Sequence, residues 1–191
     1  VPVLQLPTDF ARPAVQSFAG DRVRVAVDRE LTARLNALAA ETGTTLYMVL
    51  LAAYGALLAK YAGTEDVVIG SPIAGRPHAD VENILGMFVN TLAMRLRPEG
   101  GKTFAAYLAE VKETALKAYE NQEYPFEELV EKLNLRRDMS RNPLFDTMLV
   151  LQNAGQEDAE AVQELAVKPY PFEHRTTKFD LTINAAEMGG E

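Results

Sequence analysis

A chain of 191 residues, 48% hydrophobic and 24% charged, has the size and composition of one globular unit or one large lobe of a bigger domain. With 27 acidic against 19 basic side chains and a net charge of −8, it lacks the basic footprint that nucleic acid or an anionic membrane demands. The absence of cysteine excludes disulfides, thiolate catalysis and cysteine-ligated zinc, and a chain this long buries enough apolar surface to need none of them for stability.

Residues 1–20 (VPVLQLPTDFARPAVQSFAG) hold three prolines and no helical period, which predicts an extended connector lying over a surface. The chain begins with Val1 and not methionine, which reads as a piece of a longer, cytoplasmic polypeptide. No basic stretch ahead of an apolar one marks a signal peptide. After Asp21, Val23, Val25 and Val27 alternate with Arg22, Arg24 and Ala26 as in a half-buried strand. Asp28 is a favourable N-cap for a helix with Leu31, Leu35 and Leu38 on one face, stopped by Gly43. Thr44 or Thr45 caps a second helix ending at Gly63, apolar nearly all round and therefore predicted to be central and buried. Its apolar run, 46–59, is too short to span a bilayer.

A short apolar strand at 67–70 leads into a loop over 70–86 with three glycines and two prolines; long loops of this kind are often functional. Residues 87–97 alternate, with Phe88, Leu92, Met94 and Leu96 opposed to Val89, Thr91, Ala93 and Arg95. Thr103 caps an amphipathic helix carrying Phe104, Tyr107, Leu108, Val111, Ala115 and Tyr119 in register. Pro125 suits the first position of a shorter helix with Phe126, Leu129, Val130 and Leu133 apolar. A basic loop over 136–143 precedes a strand at 145–152, where Phe145, Thr147, Leu149 and Leu151 share a face. Residues 153–164 are small and acidic, as in a loop, and strands near 165–170 and 178–187 follow, the second with Phe179, Leu181 and Ile183 on one face. The order β-α-α-β-loop-β-α-α-β-β-β predicts an α/β two-layer sandwich, a mixed sheet with helices mainly on one face.

Candidate chemistry is sparse. Gly70–Gly75 follows a strand as a phosphate loop does, but Arg76 and Pro77 stand where that motif requires Lys and Ser/Thr. The only histidines are His78 and His174. Ser71, His78 and Asp80 compose a conceivable stand-alone hydrolase triad, yet triads are defined by geometry, and an exposed loop histidine is the plainer reading. No histidine pair has metal spacing, so no metal is expected. Glu127, Glu128 and Glu131 have the pattern of a solvated helix face. Arg136, Arg137 and Arg141 form the one local basic cluster, either a loop tip paired with Asp138 or a dock for an acidic or phosphate-bearing partner.

Three segments carry more. Residues 86–95 (GMFVNTLAMR) fit the form G-x-F-V-N-T-x-x-x-R, residues 121–127 read NQEYPFE, and residues 137–144 read RDMSRNPL. In this order and spacing they resemble the condensation domains of nonribosomal peptide synthetases, and specifically the C-terminal half, from the opening connector to about Glu187. The resemblance implies a V-shaped pseudodimer of two lobes, each similar to chloramphenicol acetyltransferase. Carrier proteins of that family bring aminoacyl or peptidyl thioesters on phosphopantetheine arms into a tunnel between the lobes, where the acceptor amine attacks the donor thioester. The family's histidine motif, HHxxxDG, belongs to the N-terminal lobe and is absent here.

By the same resemblance, residues 1–20 are the interlobe connector and 21–191 the C-terminal lobe. Loop 70–86, with Ser71 and with Arg76 near its tip, is the floor loop bridging to the other lobe, and Asn90 and Thr91 border the tunnel. Pro125, Phe126 and Glu127 are structural, while Arg137, Ser140, Arg141 and Asn142 stabilise the lobe, with carrier contact as the alternative. The G-x-F-V-N-T form points away from an epimerisation domain. The expected partners are the N-terminal lobe, the peptidyl or aminoacyl carrier proteins that present phosphopantetheine, and an adjacent adenylation domain; no cofactor is bound directly. An isolated lobe is expected to be inactive, since loss of a proton-handling group alone lowers rates by about two to four orders of magnitude. Its bared interlobe face is expected to favour self-association.

Overall fold

The computed structural model describes residues 1–76, 78–81, 83–135, 137–152 and 175–187. Two helices open the lobe, α1 (Arg29–Thr42) and α2 (Leu46–Ala62), each started by the residue its sequence nominates. Asp28 accepts from the Leu31 N–H, and Thr45 from the Met48 N–H. Strand β1 (Val67–Ile73) follows, then β2 (Asn90–Leu96), helix α3 (Phe104–Glu120) capped by Thr103, the short helix α4 (Phe126–Lys132), and strands β3 (Thr147–Gln152) and β4 (Leu181–Ala186).

The four strands form one mixed sheet in the order β2-β1-β3-β4. β1 and β2 pair antiparallel from Val67↔Leu96 to Ile73↔Asn90, whereas β1–β3 and β3–β4 are parallel. A parallel neighbour needs a crossover, and between β1 and β3 that crossover contains β2, α3 and α4. Helices α1, α2 and α3 pack on one face of the sheet. Leu51, Leu58, Ile69, Met94, Leu108 and Leu149 form the centre of that core, all nearly or wholly shielded from solvent. Each such side chain contributes about 1.5–3 kcal/mol of transfer free energy. The opposite face carries a smaller cluster in which Phe145 meets Phe126 of α4 and Phe179, each pair with ring centroids 5.5 Å apart. Gly70 makes that cluster possible, because a Cβ there would overlap the Phe145 ring. The mixed sheet with most helices on one face is the predicted architecture.

Six local expectations differ. β1 continues to Ile73, so residues 70–73 are strand and the loop starts after them. Phe179 lies ahead of β4 and packs on Phe145 in the small cluster, off the face it was predicted to share with Ile183, which packs against the large core. Residues 21–28 form no strand, and Val23 and Val25 stand 89% and 82% exposed. Alternation specifies a strand only where a partner edge supplies the hydrogen bonds, and no described segment pairs with them. Phe88 precedes β2 and stacks beneath Arg76, off the strand face it was predicted to share with Leu92. Phe145 likewise lies ahead of β3 and faces the small cluster, while Thr147 and Leu149 face the large one. Pro125 occupies the cap position and not the first turn. The predicted strand at 165–170, the loop at 153–164, His174 and Arg136 lie outside the described residues. Among the described residues no single helix is long and apolar enough to cross a membrane.

Candidate functional site

Two of the three motif segments are joined by side-chain to backbone hydrogen bonds from Asn90, the first residue of β2. Its amide Nδ2 donates to the carbonyls of Gln122 and Tyr124, both at 2.8 Å, and its Oδ1 accepts from the N–H of Phe126 at 3.2 Å and of Thr91 at 2.9 Å. Helix α4 has no side-chain cap of its own, because Pro125 carries no acceptor. Asn90 supplies the cap from another strand, satisfying an N–H that would otherwise be orphaned. GMFVNT and NQEYPFE are therefore one structural unit. Beside it lies an open cavity of about 320 Å³ lined by Gly75, Phe88, Val89, Asn90, Gln122, Glu123, Pro125 and Glu127. Glu127 is exposed in the first turn of α4, and Thr91 is half-buried opposite Pro72.

The loop between β1 and β2 is organised from within. Arg76 donates to the carbonyls of Val81 and Gly86 and lies over the Phe88 ring, 4.2 Å from its centroid. Arg76 is thus an internal staple near the start of the loop, not a residue at its tip. The outer surface belongs to Leu85 (99% exposed) and Met87 (92%), with Ile84 and Val89 beside them. Gly75 has φ +65°, and a Cβ there would meet the Phe88 carbonyl oxygen. Gly75→Ala is therefore expected to disorder the loop, at a local cost of about 1–3 kcal/mol. Limited proteolysis checks this: cleavage between residues 74 and 89 should accelerate while the urea midpoint of the whole chain hardly moves.

Ser71 is only 4% exposed, on the helix-facing side of β1 with Val67 and Ile69. Its polar neighbour is Tyr47, whose phenol is pushed up by burial and makes no hydrogen bond of standard geometry among the described residues. His78 and Asp80, in contrast, stand exposed around the turn at Ala79–Val81. A buried serine hydroxyl facing the helix layer and an exposed histidine on a loop do not make a nucleophile and its base. Among the described residues no group of three metal-ligating side chains is brought together.

The RDMSRNPL segment forms a tight loop. Asp138 accepts from both the N–H and the hydroxyl of Ser140, at 2.9 and 2.7 Å, and those two bonds hold its carboxyl below the ordinary range. Arg141 donates to the Leu4 carbonyl at 2.9 Å and pairs with Asp146, while Asn142 donates to the Lys178 carbonyl at 2.9 Å. Arg137 is exposed. Four contributors were not singled out from sequence. Arg12 forks onto Asp180 and donates to the Ser140 carbonyl, Gln16 bonds Met139 and Lys178 of the same region, and Asp146 is buried beneath Arg141. The isolated aspartate of Leu144-Phe145-Asp146-Thr147, inside an apolar run, was the readable sign of a buried charge.

Comparison with known proteins places this geometry. The sequence matches the Condensation domain family over residues 1–191. It is 60% identical over 187 residues to tyrocidine synthase 3 of Brevibacillus parabrevis, a match covering 98% of this chain and 3% of that protein. It is also 56% identical over 191 residues to gramicidin S synthase 2 of Brevibacillus brevis, covering 100% of this chain and 4% of that one. Among solved structures, a four-domain nonribosomal peptide synthetase bound to AMP and glycine superposes with a TM-score of 0.88 at 26% identity, covering 98% of this chain and 15% of that one. The X-domain from teicoplanin biosynthesis superposes with a TM-score of 0.83 at 28% identity, covering 98% and 42%. The chain therefore spans a small part of the curated synthases it matches, and by its sequence from end to end it belongs to the condensation-domain family.

Proposed function

We propose that this chain is the C-terminal lobe of a peptide-bond-forming condensation domain, with residues 1–20 as the interlobe connector and 21–191 as the lobe. It forms one wall of the tunnel in which carrier-bound aminoacyl and peptidyl thioesters meet. The observation that carries the reading is the fusion of two family motifs through Asn90, next to a stapled loop whose outer surface is apolar. Leu85 and Met87 supply the apolar contact that a second lobe would cover, as large exposed apolar groups in a cluster do. Coverage of 42% of the teicoplanin X-domain supports a half-domain.

In this reading Arg76 and Asn90 shape the tunnel wall without touching the reacting atoms, since their polar atoms bond backbone within the lobe. Pro125 and Phe126 fix α4, Glu127 lies on the cavity rim, and the 137–142 loop holds the connector, with Arg137 left as the exposed basic group for an acidic carrier surface. Carrier proteins with their phosphopantetheine arms and an adenylation domain are the partners of the parent polypeptide. The sequence has no HHxxxDG segment, so the group that handles the amine proton belongs to the partner lobe. The chain alone should form no amide. A single-turnover assay with loaded donor and acceptor carriers tests this, and product at a rate near that of a two-lobed domain would overturn it.

A further inference from the structure

Residues 1–20 cross the lobe in three anchored stages. At the first, Leu4 is buried in the large core and its carbonyl is held by Arg141. At the second, Arg12 forks onto Asp180 and reaches the Ser140 carbonyl at 3.0 Å, while the Gln16 N–H donates to Met139 at 3.0 Å and its side chain to Lys178 at 2.9 Å. At the third, Ala19 bridges Thr176: the Gly20 N–H donates to Arg175 at 3.0 Å, and the Thr177 N–H donates to Phe18 at 2.9 Å. Between anchors the segment is loosely held, with Phe10 and Val15 exposed.

Two features oppose this docking. Phe18 has φ +58°, a left-handed conformation that a bulky residue adopts only under constraint. Beneath the first stage, a cavity of about 210 Å³ is roofed by Val1–Leu4 and lined by Asp146 and Arg141. One oxygen of that aspartate, Oδ1, is buried with no hydrogen-bond partner among the described residues. A buried acceptor without a donor works against the state that buries it. We infer that residues 1–20 are a releasable strap, clamped by Arg12 and Arg141 against backbone strain at Phe18 and the unpartnered carboxylate oxygen of Asp146. The strap opens as a unit while the α2–β1 core stays folded. Segments held by few, mostly half-exposed bonds are where such sub-global opening occurs. In a longer polypeptide the strap fixes the direction in which the preceding chain leaves the lobe, and Arg12 is the residue that sets how firmly. The device is a property of the chain itself and does not depend on the reaction proposed above.

Native-state amide exchange on the whole chain tests it. Arg12→Ala removes a forked, charge-assisted contact, and should speed exchange at Gln16, Gly20 and Thr177 by about tenfold or more. Amides of α2 and β1 should keep their wild-type rates. Arg12→Lys, with one contact point in place of a fork, should fall between. Phe18→Gly removes the strain and should slow exchange at Gly20 and Thr177. An equal acceleration of strap and core amides in Arg12→Ala would overturn the proposal, as would unchanged strap rates in that variant.

Discussion

Arg141→Ala is expected to lower the unfolding free energy by about 3–5 kcal/mol at neutral pH, the range for deleting one partner of a buried ion pair. The side chains of Arg141 and Asp146 are 16% and 7% exposed. Burial raises the Asp146 carboxyl above its ordinary value even against the pull of Arg141, so without the guanidinium the ionised form is left nearly uncompensated. The sign of the pH effect follows. An acid whose pKa is higher in the folded than in the unfolded chain favours the fold at pH below the unfolded value, and that contribution disappears as pH rises through the folded value. Removing Arg141 raises the folded value further. The deficit of the variant should therefore be full at neutral pH and shrink in mildly acid buffer, where a protonated Asp146 needs no counter-charge. Urea denaturation of both proteins across that range measures it, and a deficit independent of pH would contradict the assignment. Replacing both residues by apolar groups of similar volume should restore most of the loss.

Asn90→Asp should cost about 2–3 kcal/mol, although the two side chains have the same shape. The substitution turns a donor facing two carbonyls, Gln122 and Tyr124, into an acceptor. Two hydrogen bonds are lost at about 1 kcal/mol each, and like partial charges are placed in contact. Acid should recover part of the loss, because a protonated carboxyl regains one donor. Asn90→Ala should show a similar loss without the pH dependence, which separates lost bonds from repulsion. Denaturant midpoints report both, and a stable Asn90→Asp variant would mean that the amide does not tie the two motifs together.

The sequence made the helices legible because their signals are local. Asp28, Thr45 and Thr103 cap the three long helices as their side-chain chemistry dictates. The apolar-all-round pattern of 46–62 correctly indicated a central helix. Strand edges were harder to read, since pairing is settled by distant segments. The valines of 23–27 satisfy the alternation rule yet lie exposed, whereas Phe88 and Phe145 leave their strands' faces to pack on Arg76 and Gly70. Asn90 was readable as important from its motif, but its bonds run 32 to 36 residues along the chain, a separation no local pattern encodes. The strap's anchors were invisible for the same reason: Arg12 and Asp180 are separated by 168 positions.

The staple at Arg76 bears on the thermodynamics of association. A flexible loop that orders on contact loses conformational entropy of about 1–2 kcal/mol per residue, enough to cancel the gain from burying a leucine or a methionine. Here part of that ordering precedes any encounter, because two carbonyls and an aromatic ring already hold the Arg76 guanidinium. With Gly86 held between Leu85 and Met87, less backbone freedom remains to be lost on contact, so a larger share of any transfer of these two side chains from water would go into affinity.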